Sequence, residues 1–261
     1  MPKIRPAAVA GSFYPADPQV LTTMLENYLQ HAKPSTTTPK AIIVPHAGYI
    51  YSGAIAASAY VRLQAKREQI MRVVLLGPAH KVGFVGLALS SAELFNTPLG
   101  DVPLDTEAIS ALTRYPFVYY LDQAHTEEHS LEVHLPFLQI SLQAFKLIPI
   151  VVGDCSAEQV RQMLEAFYDE EDTLIVISSD LSHYHDYATA QNLDAATSAK
   201  IEQLDYQHLD HESACGCTPI SGLLALARQK SLTVKTIDLR NSGDTAGDKN
   251  HVVGYGAYVI E

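Results

Sequence analysis

Residues 41–53 read AIIVPHAGYIYSG: four apolar residues with no polar residue between them, then Pro45, His46 and two glycines. A strand with one wet face alternates apolar and polar residues, whereas a strand covered on both faces stays apolar throughout. Residues 41–44 are of the second kind, and the run ends on a histidine. The plan recurs. MRVVLLGPAH, residues 71–80, passes from an apolar run through Gly77-Pro78 to His80, and LIVISSDLSH, residues 174–183, ends on His183. A fourth apolar run, LIPIVVG, covers 147–153.

Helical periodicity fills the intervals between these strands. Val20, Leu21, Met24, Leu25 and Leu29 share one face of a helix over 18–32. Further helices are expected over 54–67, 105–114, 130–145, 156–168, 188–204 and 218–230, and further strands over 85–90, 118–121, 233–240 and 252–261. Buried strands alternating with helices give an α/β, three-layer fold with a mostly parallel or mixed central sheet. No linker, low-complexity tract or solenoid repeat interrupts the 261 residues, so one domain over 1–261 is expected.

Composition narrows the function. With 47% hydrophobic and 18% charged residues there is material for a full core. No apolar run reaches the length of a membrane span, and no continuous apolar segment follows the first charges, so a cytoplasmic protein is expected. The formal charge of −11 repels nucleic acid and anionic membrane alike. The three cysteines, Cys155, Cys215 and Cys217, are too few for a disulfide framework and are read as reduced thiols.

In open α/β sheets ligands bind outside the carboxyl ends of the strands. His46, His80 and His183 each follow a core strand closely. The alternative for any one of them is a loop histidine bonded to backbone, but three such endings point to a shared site. Neutral imidazole is the commonest metal ligand, suited to Zn, Fe, Cu or Ni. HESACGCTPISGLL adds Cys215 just before a helix opening near Thr218, where the helix dipole favours a thiolate. Cys155 is expected to pack as a small hydrophobe, and Cys217 is either that or a thiol that resolves Cys215.

HTEEHSLEVHLPFL, residues 125–138, is not the zinc-protease pattern. On a helix over 130–142 His134 faces inward, with His129 and Glu132 on a neighbouring side. They are candidates for a shell around the metal or for the substrate pocket, against the alternative of a buried structural pair. Asp180 is either a turn aspartate or the group that holds His183 in one tautomer for acid–base work.

Together AGSFYP (10–15), VPHAGYIYSG (44–53), GPAH (77–80), EEHSLEVHLPFL (127–138), SSDLSHY (178–184) and CGCTPI (215–220) resemble the Memo family, whose prokaryotic members are called AmmeMemoRadiSam system protein B. The motifs run in family order over nearly the whole chain. The resemblance implies a fold similar to the class III extradiol ring-cleaving dioxygenases, which are non-haem Fe(II) enzymes. By motif, His46 and His80 would be metal ligands and His183 the catalytic histidine, with Asp180 beside it. Cys215 stands where those enzymes carry a carboxylate. Fe(II) is the first expectation for the metal, with Zn or Cu as alternatives, and a small-molecule substrate is implied. The family name implies radical-SAM and AMMECR-type proteins as partners of a module that need not turn over. A Cys-His hydrolase built on Cys215, His183 and Asp180 ranks last, because it leaves His46 and His80 without a role.

Overall fold

The apolar runs form the middle of one sheet. The computed structural model describes residues 1–35 and 37–261. In chain order its strands are β1 (Ile4–Arg5), β2 (Ala41–Val44), β3 (Arg72–Pro78), β4 (Leu87–Leu89), β5 (Leu94–Thr97) and β6 (Gly100–Pro103). They continue with β7 (Val118–Tyr120), β8 (Lys146–Val152), β9 (Thr173–Ser178), β10 (His183–His185), β11 (Val234–Asn241) and β12 (Val252–Ile260). The helices are α1 (Pro18–His31), α2 (Tyr49–Tyr60), α3 (Thr106–Leu112), α4 (Asp122–Thr126), α5 (His129–Glu132), α6 (Leu135–Ser141), α7 (Ala157–Tyr168), α8 (Tyr187–Glu202) and α9 (Cys217–Gln229).

Among the described residues the large sheet has nine strands in the order β10-β12-β2-β9-β3-β8-β4-β7, with β11 also paired to β12. The four strands read from the apolar runs, β2, β9, β3 and β8, lie side by side and parallel. β12 and β4 flank them antiparallel, so the sheet is mixed. Every residue of β2 and β9 is buried, as strands covered on both faces require. α1, α2 and α6 pack together, with α2 against β2, β11 and β12. α7 and α9 pack on each other and against β9, and α8 covers β11 and β12. One continuous hydrophobic core joins the layers.

Two expectations are corrected. The helix expected over 130–145 is two short ones, α5 and α6, with an extended chain from Leu142. Pro136 has no N–H to give to an upstream carbonyl, so it sits in the opening turn of a new helix rather than inside an old one. Around residue 95, where no strand is expected, lies a second sheet, β1-β5-β6, in which the N-terminal strand runs parallel to β5.

Because the four central strands are parallel, their carboxyl ends share one edge. In register, Val44 of β2 lies opposite Ser178 of β9, and Pro78 of β3 opposite Val152 of β8. His46 and His80 each come two residues after their strands, so both emerge at that edge.

Candidate metal centre

Among the described residues, one ligand atom each from His46, His80 and Cys215 lies within 4.8 Å of the other two. Cys215 Sγ is 3.4 Å from His46 Nε2. The cysteine comes from the other end of the chain, and backbone contacts dock it. Asp180 N–H points at Cys215 Sγ (3.3 Å), Cys215 N–H at the Asp180 carbonyl (3.3 Å), and Gly216 N–H donates to Ser179 Oγ (2.9 Å). The approach is so close that a Cβ on Gly216 would lie 2.6 Å from the Ser178 carbonyl oxygen. Gly216 is therefore required by contact, not by its dihedral angles.

The hydrogen bonds fix which nitrogen each histidine offers. Ser178 Oγ lies 2.6 Å from the Ser130 carbonyl oxygen, 2.7 Å from His46 Nδ1 and 2.9 Å from His134 Nε2. A carbonyl can only accept, so the single hydroxyl proton goes to Ser130. Both rings must then donate to Ser178, which puts the His46 proton on Nδ1 and leaves a lone pair on Nε2, beside Cys215. The same logic gives His134 a bare Nδ1, which accepts from Tyr60 Oη at 3.0 Å. His80 Nδ1 is 2.8 Å from Glu128 Oε1, so its proton also sits on Nδ1 and its Nε2 is bare. Glu128 additionally accepts from the His80 and Ser130 backbone N–H groups (2.6 and 3.0 Å). Two imidazole lone pairs and a sulfur thus converge, each imidazole held from behind as metal-bound histidines are. This donor set fits a transition ion.

The charges agree. Burial, then the surrounding histidines, push His46 well below its ordinary range, so it is neutral. Burial opposes charge on Glu128, but the hydrogen bonds from His80 outweigh it and hold the carboxyl down to about 2. Burial and the neighbouring Asp180 push the Cys215 thiol up to about 12, and burial pushes Asp180 up to about 7. The expected lowering of the Cys215 thiol by a helix N-terminus is thus corrected. α9 starts two residues later, with Gly216 as its cap, and desolvation dominates. A bound cation reverses both shifts, because it supplies the charge that burial withholds.

The remaining expected residues divide. His183, half-buried, and His129 line a cleft of about 580 Å³ with Asp180, Tyr51, Tyr184 and Tyr255. Burial lowers the His183 pKa. His129 stacks 4.6 Å from His80, centroid to centroid, and 4.7 Å from Phe13. His134 acts on His46 through Ser178.

Asp180 does not hold the His183 tautomer: its Oδ1 accepts from His46 N–H (2.8 Å) and its Oδ2 is 3.9 Å from His46 Nε2. The turn points the carboxylate at the β2 loop. Glu132 is corrected as well. It is fully buried but bonded to Arg5, to the Ala8 and Val9 N–H groups (2.8 and 2.9 Å) and to Tyr14 Oη (2.6 Å), so it anchors the N-terminal segment rather than the metal. Cys217 Sγ lies 3.3 Å from His211 Nδ1 and lines a separate cavity with Cys155. The Cys-His hydrolase also loses support, because the imidazole bonded to the Cys215 thiol is that of His46.

Sequence reasoning missed Glu128, Ser178 and Tyr184. Tyr184 has φ +63°, uncommon for a bulky residue, at an irregularity in the β10–β12 pairing directly after His183. Glu128 adjoins a histidine in EEHS, which was a usable signal. Ser178 gave none.

The sequence profile of the family described as Memo-like protein matches residues 5–259. A "MEMO1 family protein" of Aquifex aeolicus is 38% identical over 267 residues, covering 97% of each chain. One of Sulfolobus acidocaldarius is 35% identical over 277 residues, again covering 97% of each. A solved structure described as uncharacterized protein JW3007 from Escherichia coli K12 shares the fold, with TM-score 0.53 at 14% identity over 85% of this chain and 100% of that one.

Proposed function

The chain belongs to the Memo family, and on that premise we propose that it is a metal-dependent oxidoreductase acting on a small organic substrate, with Fe(II) as its first metal. The observation that carries this reading is the pair of fixed tautomers: Ser178 and Glu128 turn His46 Nε2 and His80 Nε2 toward Cys215.

Two imidazoles and one thiolate would hold the ion with positions left open. When bound, a redox-active ion supplies electron exchange with O₂ and a Lewis-acid centre. The chain's own groups do the rest. Phe13, Tyr51 and Tyr255 in the cleft walls offer ring faces for a flat substrate. His183, kept neutral near pH 7 by burial, takes a proton from the substrate and later returns it. Asp180 holds the His46 backbone and, once a cation is present, adds negative charge beside it.

The test is O₂ consumption by anaerobically purified, Fe(II)-loaded protein over a panel of phenols and central metabolites. His183→Ala is expected to keep its metal and lose about 10²–10⁴-fold in turnover. Wild-type protein that holds its metal yet consumes no O₂ with any member of the panel would count against the reading.

A further inference from the structure

We propose a second metal site, formed by His80, Glu128 and His129, that takes a divalent first-row ion such as Zn²⁺. It shares His80 with the centre above but does not depend on that centre's redox chemistry.

Among the described residues these three also bring one ligand atom each within 4.8 Å of the others. Glu128 Oε1 lies 2.8 Å from His80 Nδ1 and 3.4 Å from His129 Nδ1. Two donors bound to one ion at about 2.1 Å, and roughly at right angles or a little wider, sit about 2.8–3.4 Å apart. Both measured separations fall in that span, so little movement is needed to admit an ion. The two imidazoles are close to parallel, 27° between planes at 4.6 Å, so both can turn a nitrogen to the same carboxylate.

The Glu128 carboxylate is held by the Ser130 and His80 backbone N–H groups (3.0 and 2.6 Å), which leave it lone pairs to spare. His129 faces Glu128 at a distance longer than a good hydrogen bond, with its ring held in place against His80 and Phe13.

The consequence is a bridging histidine. His80 offers Nε2 to the thiolate centre, while its Nδ1 carries the proton that goes to Glu128. An ion at the second site replaces that proton, which passes to solvent, and His80 then joins two metals. Two nitrogens and a carboxylate oxygen form a harder set than the thiolate centre, so the sites differ in preference. The second suits Zn²⁺ and holds it more weakly, because taking up that ion costs His80 its proton.

Zinc titration of the full chain, read by elemental analysis after gel filtration and by anomalous diffraction at the zinc edge, tests this. Wild type is expected to saturate at two zinc ions per chain, His129→Ala at one, and Cys215→Ser at one located beside Glu128. Saturation of wild type at one, or a second ion untouched by His129→Ala, overturns the proposal. Should His129→Ala fail to fold by circular dichroism, His129→Phe, which keeps a ring against His80 and Phe13 but has no nitrogen to bind an ion, is read the same way. Two ions kept by Cys215→Ser, with one in His129→Ala, would fault the thiolate centre and still support this second site.

Discussion

Ser178 carries more of the proposed metal centre than its size suggests. One hydroxyl joins β9 to the His46 loop, to His134 and to the Ser130 backbone. Ser178→Ala leaves two buried ring N–H groups without an acceptor, at about 1–3 kcal/mol for each unsatisfied group. It also frees His46 to put its proton on Nε2. The variant is expected to fold with a lower Tm and to bind metal about 10–100-fold more weakly, read by zinc competition with a chromophoric chelator. Unchanged affinity would show that the tautomer is set by other means. The division between legible and illegible residues follows from such contacts. His46, His80 and Cys215 were legible because each ends an apolar run or opens a helix, so chain position alone placed them at an edge. Ser178 acts on His46 from 132 residues away and no local pattern records that, whereas Glu128, 48 residues from His80, left only its place beside a histidine in EEHS as a trace.

At the scale of elements, the centre depends on docking the turn before α9 against the end of β9. Gly216 is the contact point. An alanine there would press its methyl on the Ser178 carbonyl oxygen and on Ser179 Cβ at 2.7 Å, and backbone cannot yield cheaply. Gly216→Ala is expected to cost about 1–3 kcal/mol and to move Cys215 off its ligand position, lowering metal affinity together with Tm. A variant with normal Tm and normal affinity would mean that the turn is softer than its contacts imply. The four parallel strands were readable because buried parallel strands leave unbroken apolar runs. The small sheet was not, since its strands are only two to four residues long, too short to show a period, and β6 also holds a glycine and a proline. The break between α5 and α6 was marked by Pro136, but the apolar face on either side masked it.

For the whole molecule, buried neutral histidines make stability depend on pH. Burial pushes His134 down to about 3 and His125 down to about 4. Unfolded, each titrates near 6.5, so below that pH the unfolded chain binds the extra proton. Their stabilisation is complete above about pH 6.5 and is lost as pH falls toward 4 and then 3, with a cost of about 2 kcal/mol per histidine at pH 5. Asp180, raised to about 7, and Asp194, also raised by burial, act in the opposite sense in the metal-free chain, but burial lowers His46, His129 and His183 as well. Tm is therefore expected to fall between pH 7.5 and 5, and to fall less in His134→Gln. A Tm that stays flat across that range would contradict the assignment of these rings as buried and neutral.

If Cys215 completes a metal centre with the two strand-end histidines, a bound ion must have sulfur beside it. X-ray absorption at the iron edge, on protein loaded anaerobically with one equivalent of Fe(II), tests it most directly. The expected result is one sulfur scatterer at about 2.3 Å beside nitrogen and oxygen neighbours, with the sulfur absent in Cys215→Ser. A nitrogen- and oxygen-only shell in wild type, or a sulfur that survives the substitution, would contradict it.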